Sequence, residues 1–216
     1  MNRKRVAILI SGRGSNMAAL IEAARGSDYP AEIVLVIADC ADAGGLARAR
    51  AADIATRVVE HRSFAQDREA FEGALQQALA EQRVEIVCLA GFMRVLTPAF
   101  VARWSGRLLN IHPALLPSFK GLDTHARALA AGVKIHGASV HLVVPEVDSG
   151  PIVAQAAVPV HEEDTADTLA ARVLAAEHRI YPLALALVAS GRVRIVAGRC
   201  LIEGSSSRDQ MLVVPD

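Results

Sequence analysis

Strand-like and helix-like segments alternate through the first half of this chain. Short runs rich in β-branched residues cover residues 6–10, 33–38, 56–59 and 85–90. Segments rich in Ala, Leu, Arg and Glu at helical spacing lie between them, at residues 16–25, 44–53 and 67–82. This alternation predicts right-handed βαβ units, and strands that are apolar throughout suit a sheet covered on both faces. We therefore expect an α/β, Rossmann-like fold with a mostly parallel central sheet flanked by helices.

The second half of the chain has a different pattern, with longer strands and one long helix. The predicted strands are residues 108–112, 138–144, 152–160, 193–196 and 200–202, and the predicted helices are residues 124–131 and 165–190. Pro182 lies inside the last helix and should kink it or divide it in two. We expect antiparallel strands in this C-terminal half, within one domain spanning residues 1–216, and a loose tail at residues 205–210.

The composition narrows the possible partners. Lys plus Arg number 23 and Asp plus Glu number 23, so the formal net charge is zero. Proteins that coat nucleic acid or an anionic membrane carry a clustered basic excess, so neither is expected as a partner. The three cysteines are far apart and form no Cys-x-x-Cys or Cys/His cluster, which argues against a disulfide framework and a metal site. We expect a cytoplasmic monomer or weak homodimer that binds small molecules.

A glycine-containing loop, SGRGSN at residues 11–16, follows the first predicted strand and opens a helix. Its glycines let a ligand approach the backbone, and amides at a helix start favour an anion. Ser15 or Asn16 is a suitable side-chain N-cap. The dinucleotide fingerprint needs a third glycine where Met17 stands, so a single phosphate fits better than a pyrophosphate. Asp39, at the end of the second strand, keeps a ribose-binding acid possible, and a plain strand-to-helix turn is the alternative.

Three polar residues in the second half could form a reacting centre. Asn110 and His112 end a predicted strand, where residues i and i+2 point to the same face. An amide can stabilise a developing oxyanion, and a histidine can move a proton near neutral pH. Asp148 lies in a loop between two apolar strands. The alternatives are ordinary: Asn110 and Asp148 satisfying loop backbone, and His112 packed beside them.

Six sequence motifs, taken in order, resemble those of the folate-dependent formyltransferases and, within them, the glycinamide ribonucleotide formyltransferases. They are SGRGSN, AGFMRVL, LLNIHPALLPSFKG, HGASVH, VDSGPI and AEHRIYP, spread over about residues 6–195. NIHP, LLP and DSGP mark the wider group, whereas SGRGSN and HGASVH carry the narrower resemblance. The chain departs from the family pattern at Asp39 and Cys40, so the resemblance assigns no role to this acid.

The resemblance implies a formyltransferase fold and a reaction. A formyl group would pass from 10-formyltetrahydrofolate, a co-substrate, to the amine of glycinamide ribonucleotide, in purine biosynthesis and without a metal. The implied catalytic residues are Asn110, His112 and Asp148. The implied ribonucleotide contacts are Gly14, Ser15, Asn16, Leu174, Ala175, Ala176 and Glu177. The implied folate contacts are Arg68, Met93, Arg94, Val95, Leu96, Asn110, Val144, Pro145, Glu146, Val147 and Asp148.

Two other functions remain open at this stage. A formyltetrahydrofolate deformylase would use water in place of the amine, although the glycine loop at residue 11 leaves no room for a regulatory domain ahead of it. A non-catalytic Rossmann module that binds nucleotides would not need His112. Aromatic residues make up only 4% of the chain, so a folate pocket should have aliphatic walls and backbone hydrogen bonds rather than stacked rings.

Overall fold

The computed structural model describes residues 3–65, 67–204 and 214, and nine strands lie within them. Their bounds are β1 Lys4–Ile10, β2 Ala31–Ala38, β3 Ala55–Val58, β4 Ile86–Leu89, β5 Leu108–His112, β6 Ile135–Leu142, β7 Ile152–Pro159, β8 Val193–Val196 and β9 Arg199–Ile202. The first seven form one sheet in the order β3-β2-β1-β4-β5-β6-β7, and β8 and β9 form a separate hairpin. The two strands predicted at residues 193–196 and 200–202 are confirmed and pair with each other, and the tail predicted at residues 205–210 lies outside the described residues.

Strand pairing in the sheet changes from parallel to antiparallel after β5. Strands β1 to β5 pair in parallel, whereas β5 pairs with β6, and β6 with β7, in antiparallel fashion. The order also reverses beside β1, since β2 and β3 lie on one side of it and β4 to β7 on the other. Ligands of open α/β sheets bind outside the carboxyl ends of strands at such a switch point. The predicted Rossmann-like α/β fold, mostly parallel with antiparallel strands in the C-terminal half, is confirmed.

Six α-helices lie within the described residues. Their bounds are α1 Ser15–Ala23, α2 Gly45–Ala51, α3 Arg68–Glu81, α4 Pro98–Arg103, α5 Thr124–Ala130 and α6 Ala166–Ala189, and a short 3-10 helix covers His61–Phe64. The sequence pattern missed α4, because six residues are too few to show a helical period. Its start is nevertheless well specified: the Thr97 hydroxyl accepts a hydrogen bond from the N–H of Phe100 at 3.3 Å, and Pro98 occupies the first turn.

Both faces of the sheet are covered, as the apolar strands predict. Val6, Ile8 and Ile10 pack in one core with α1 and α6, whereas Ala7 and Leu9 pack in a second core with α3 and α4. Successive residues of a strand point to opposite faces, so one strand supplies both cores. All five residues are fully buried. The carboxyl end of β1, from which the glycine loop starts, is therefore held from both sides.

Helix α6 is continuous over 24 residues although it contains Pro182, so of the two predicted outcomes, a kink or a division in two, the division is wrong. Tertiary contacts hold the helix at this point. The carbonyl of Pro182 accepts a hydrogen bond from the Tyr29 hydroxyl at 2.7 Å, and the buried Tyr181 hydroxyl donates to the Leu89 carbonyl of β4 at 3.0 Å. Among the described residues, no helix has the length and apolarity that a membrane crossing requires.

Candidate active site

The glycine loop, residues 11–16, makes a close turn between β1 and α1. Gly14 is the N-cap of α1 in the left-handed conformation, with φ 70° and ψ 35°, and no side chain caps the helix. The predicted cap by Ser15 or Asn16 is therefore wrong. A Cβ on Gly14 would lie 2.9 Å from the Cα of Gly45 in α2, so both the conformation and the packing require glycine. The backbone N–H groups in the first turn of α1 therefore have no side-chain acceptor and are available to a ligand.

One long-range hydrogen bond joins the glycine loop to α6. The Asn16 Nδ2 donates to the Glu177 Oε2 at 2.6 Å, and both residues are buried. Burial raises the pKa of Glu177, and the Asn16 hydrogen bond offsets part of that rise. The Oδ1 of Asn16 is buried with no protein partner in the described part of the chain. On the same helix Leu174 and Ala176 are half-buried. Of the predicted ribonucleotide contacts, the structure thus joins Asn16 to Glu177.

Ala175, also predicted to contact the ribonucleotide, is exposed on α6. A residue exposed in the free protein remains open to a ligand, so its predicted contact is neither supported nor contradicted by its position.

A second group of polar side chains surrounds the end of β5. Asn110 and His112 lie on β5, and the antiparallel pairing puts His141 of β6 opposite Asn110. The Asp148 Oδ2 is 3.4 Å from the His112 Nδ1, and its Oδ1 is 3.7 Å from the His141 Nε2. We call these four residues the β5 cluster. The structure brings together the three residues predicted to be catalytic and adds His141, whose place opposite Asn110 depends on a strand register that sequence alone does not give.

Hydrogen bonds to backbone carbonyls orient both histidines of the β5 cluster. The His141 Nδ1 is 3.0 Å from the Leu142 carbonyl oxygen, which can only accept, so this nitrogen carries a proton. The His141 Nε2 lies 3.2 Å from the Asn110 Nδ2. The His112 Nε2 donates in the same way to the Phe119 carbonyl at 3.0 Å. The His112 Nδ1 is therefore the nitrogen free to exchange a proton, and it faces Asp148.

Asp148 is held as a carboxylate in a strained loop. Its backbone is left-handed, with φ 50°, and its Oδ2 accepts a hydrogen bond from the N–H of Gly121 at 2.9 Å. Burial alone would raise the pKa of Asp148, but His141, the Gly121 N–H and His112 outweigh it and hold the pKa below its usual value. Two residues further on, a Cβ on Gly150 would lie 1.7 Å from the Leu142 carbonyl oxygen. This close approach fixes the loop against β6.

A cavity of ≈ 620 Å³ opens beside the β5 cluster. One side is formed by residues 91–96 of the segment 91–97, which we call the wall segment, and the other by the connection between β6 and β7. Nine residues predicted to contact folate line the cavity: Met93, Arg94, Val95, Leu96, Asn110, Val144, Pro145, Val147 and Asp148. Among the described residues lining it, Phe92 is the one carbocyclic ring. The walls are thus mainly aliphatic, as the low aromatic content predicts.

Two predicted folate contacts, Arg68 and Glu146, are not among the residues lining the cavity. The Arg68 guanidinium donates to the Val95 carbonyl, so in this structure it supports the wall segment from behind. Glu146 is exposed on the connection between β6 and β7.

Asp39 has a partner that the sequence did not suggest. Its Oδ2 accepts a hydrogen bond from the Arg94 Nε at 2.6 Å, which joins the end of β2 to the wall segment. The side chain of Asp39 is 0% exposed, and that of Arg94 is 39% exposed. The buried acid therefore forms a partly buried ion pair with a residue that lines the cavity.

Two further histidines lie near the β5 cluster, and one of them, His125, also lines the cavity. The rings of His125 and His136 meet edge to face with centroids 5.4 Å apart. Burial, with a smaller effect of the neighbouring histidine charge, lowers the pKa of His136 to about 4, so this ring is neutral at pH 7. Across the described residues, no group of three or more His, Cys, Asp or Glu side chains is placed to hold a metal ion.

The chain is similar to known proteins in family, in sequence and in structure. The family profile described as "Formyl transferase" matches residues 4–185. Phosphoribosylglycinamide formyltransferase of Escherichia coli is 44% identical over 199 residues, covering 92% of this chain and 93% of its own length. The crystal structure of phosphoribosylglycinamide formyltransferase from Brucella melitensis is 56% identical, with a TM-score of 0.84, covering 91% of this chain and 100% of that one.

The chain is also similar to part of a larger protein. The trifunctional purine biosynthetic protein adenosine-3 of Bos taurus is 51% identical over 193 residues, which cover 89% of this chain. The chain spans only 19% of that protein's length. The similarity therefore concerns one section of that protein.

Proposed function

Because this chain belongs to the formyl transferase family, we propose that it transfers a formyl group from 10-formyltetrahydrofolate to the amine of glycinamide ribonucleotide. The products are N-formylglycinamide ribonucleotide and tetrahydrofolate, in a step of de novo purine biosynthesis. The observation that carries the proposal is the β5 cluster, in which an amide, two oriented imidazoles and a carboxylate meet at the edge of a cavity of ≈ 620 Å³.

The size and lining of this cavity fit the folate co-substrate. Pockets for ligands of this size measure roughly 300–1,000 Å³ and have apolar walls with a few polar groups. Met93 and Val95 on one side, and Val147 on the other, present apolar side chains that are 63%, 62% and 51% exposed. A flat bicyclic ring lying between these walls would bury them. The reactive end of the folate would then lie near Asn110 and Asp148.

The glycine loop fits the phosphate of the ribonucleotide. Gly14, Ser15 and the N-terminus of α1 offer backbone N–H groups, and no side chain caps them. Asn16 and Glu177 lie beside this loop and present polar atoms that suit the hydroxyl groups of a ribose. This arrangement binds one phosphate rather than two, in agreement with the missing third glycine.

The β5 cluster fits the chemistry of acyl transfer. The amine of the ribonucleotide attacks the formyl carbon, and a C–N bond forms as the carbonyl oxygen becomes an oxyanion. Of the two N–H groups of Asn110, one is directed to His141, which leaves the other for the oxyanion. Both nitrogens of His112 face acceptors, Phe119 and Asp148, and only the imidazolium supplies two N–H groups. We assign to this cation the electrostatic stabilisation of the oxyanion.

We assign the proton transfer of the reaction to Asp148. The attacking amine loses one proton and the departing folate nitrogen gains one when the bond between the formyl carbon and that nitrogen breaks. Asp148 remains ionised because its pKa is lowered, so its carboxylate can accept the amine proton, directly or through water, and pass it on. With this proton transfer, the atoms and charges of the reaction balance without a metal or a redox partner.

The proposal extends to the domain organisation, location and oligomeric state of the protein. We propose one catalytic domain over residues 1–216 that acts in the cytoplasm as a monomer or weak homodimer and binds no nucleic acid. The three free cysteines, Cys40, Cys88 and Cys200, are typical of a reducing compartment. The zero net charge offers no global attraction to anions, so both anionic substrates would depend on local cations such as Arg94 and Lys120.

One assay tests the proposal. Purified protein is mixed with 10-formyltetrahydrofolate, with and without glycinamide ribonucleotide, and the folate absorbance is followed. We expect conversion only when the ribonucleotide is present. Conversion at the same rate without it would indicate a deformylase, and dinucleotide binding without any conversion would indicate a non-catalytic nucleotide-binding module; either result overturns the proposal.

A further inference from the structure

A buried carboxylate lies at the end of β2, outside the lining of the cavity. Asp39 is 1% exposed, and its Oδ2 binds the Arg94 Nε at 2.6 Å. Its Oδ1 is buried with no protein partner in the described part of the chain. A buried carboxylate is costly unless a cation and hydrogen bonds compensate it, so Arg94 is strongly held in this position. The mechanism above gives Asp39 no role.

The backbone around Asp39 is fixed, so its carboxylate is a rigid anchor. The N–H of Asp39 donates to the Ile10 carbonyl at 3.3 Å, and its carbonyl accepts from the N–H of His61 at 3.0 Å. These bonds tie the residue to the end of β1 on one side and to the 3-10 helix on the other. The position of the Arg94 guanidinium is thereby set by the central sheet.

The wall segment depends on a few such attachments. Ser11 binds it twice: its N–H donates to the Gly91 carbonyl at 3.1 Å, and its Oγ accepts from the N–H of Met93 at 2.9 Å. At the far end Glu72 accepts from the N–H of Thr97 at 2.6 Å. Among the described contacts, the ion pair of Arg94 with Asp39 is the attachment of the segment's centre to β2. Its loss would leave the centre of the segment attached, among the described contacts, by Met93 and by the exposed hydrogen bond from Arg68 to the Val95 carbonyl.

We propose that Asp39 is a positioning residue for the folate co-substrate, acting through Arg94 to hold the wall segment in its binding shape. It contacts neither substrate and is not a ribose-binding acid. This inference rests on the proposed function, since it assumes that folate occupies the cavity.

Three variants test the inference. Asp39→Ala removes the anchor, Asp39→Asn keeps an acceptor for Arg94 without the charge, and Asp164→Asn is the matched control. Asp164 is also a buried carboxylate, with its side chain 4% exposed and 2.6 Å from Arg172, but it precedes α6 away from the cavity. Binding of tetrahydrofolate is measured by calorimetry, and both KM values and kcat are measured in the transfer assay.

We expect Asp39→Ala to raise the Kd for tetrahydrofolate and the KM for the formyl donor about tenfold, because small displacements of a binding wall weaken a fitted ligand. Asp39→Asn should show a smaller rise of the same kind. The KM for the ribonucleotide and kcat at saturation should stay within about twofold, the pattern of lost ground-state binding. Asp164→Asn should leave all of these values unchanged.

A double variant separates positioning through Arg94 from any other effect. If Asp39 acts through Arg94, Asp39→Ala combined with Arg94→Gln should raise the Kd no further than Arg94→Gln alone. Additive effects, an unchanged Kd in Asp39→Ala, or an equal rise in the KM for the ribonucleotide would each overturn the inference. If Asp39→Ala does not fold, the same criteria apply to Asp39→Asn. Failure of the wild-type protein to transfer formyl would instead contradict the proposed function.

Discussion

The two ends of the candidate active site are built in different ways. At the glycine loop, in the parallel half of the sheet, the backbone forms the binding surface: Gly14 is left-handed, and a Cβ added to it would lie 2.9 Å from the Cα of Gly45. At the β5 cluster, where the sheet turns antiparallel, side chains form the surface, because β5 and β6 place Asn110 opposite His141. Parallel strand ends followed by helices suit anion binding, whereas an antiparallel pair brings side chains face to face for chemistry.

The largest effect should follow from removing a side chain of the β5 cluster. We expect Asn110→Ala or His112→Ala to lower kcat about 100- to 1,000-fold, since loss of an oxyanion-stabilising group costs ~2.7–4 kcal/mol. Steady-state kinetics at saturating substrates measures the loss, and thermal unfolding should show an intact fold. The exposed His161, in the connection after β7, offers a control: His161→Ala should keep wild-type turnover. Wild-type kcat in either cluster variant would remove that residue from the mechanism.

At the glycine loop, a backbone change should affect binding and stability rather than turnover. Gly14→Ala puts a Cβ into a left-handed site against α2, and we expect the free energy of unfolding to fall by ~1–3 kcal/mol. The KM for the ribonucleotide should rise while kcat changes little. Denaturant unfolding and steady-state kinetics measure the two effects.

The matched control for Gly14→Ala is Gly73→Ala, in the exposed middle of α3, where nothing lies within 4 Å of the added Cβ. This change should stabilise the protein by about 0.5–1 kcal/mol. A fall in stability in Gly73→Ala equal to that in Gly14→Ala would show that the loop geometry is not special.

The smallest effect concerns the dependence of stability on pH, and His136 should contribute to it. His136 has a pKa of about 4 in the folded protein, below the value of ~6.5 in an unfolded chain. Protonation therefore favours the unfolded chain: this contribution to stability is complete above pH ~6.5 and is lost as the pH falls towards 4. By pH 5 it should lower the free energy of unfolding by ~1–2 kcal/mol.

Replacing the ring tests this pH effect. His136→Phe keeps a ring in contact with Phe119 and His125 but cannot be protonated, so its stability should fall less than that of the wild type between pH 7 and pH 5. His161→Phe, at an exposed site, should lose as much stability between pH 7 and pH 5 as the wild type. An equal loss of stability in all three proteins would mean that His136 is not buried as a neutral ring.

The local sequence pattern is enough to predict the sheet and two of the candidate catalytic residues. The alternation of strands and helices predicts the sheet, and β5 occupies the predicted residues 108–112 because Pro113 ends the strand. Asn110 and His112 could be paired as candidates because they are two residues apart on this strand, and Asp148 was joined to them by resemblance to a family.

The features that escaped prediction depend on contacts between distant residues. The ion pair of Asp39 with Arg94 joins residues 55 apart, and the Asn16 contact with Glu177 joins residues 161 apart. Helix α6 remains continuous at Pro182 because Tyr29 and the sheet hold it, which no helix propensity can indicate. The N-cap of α1 was mistaken because the packing of Gly14 on Gly45 decides the geometry there.

The fate of the formyl carbon tests the central claim most directly. The wild-type protein is given 10-formyltetrahydrofolate labelled with carbon-13 in the formyl group, together with glycinamide ribonucleotide, and the products are followed by NMR. We predict that the labelled carbon appears as an amide of the ribonucleotide, and that the Asn110→Ala protein forms this product about 100-fold more slowly or worse. Labelled carbon released as free formate, with none on the ribonucleotide, would contradict the account.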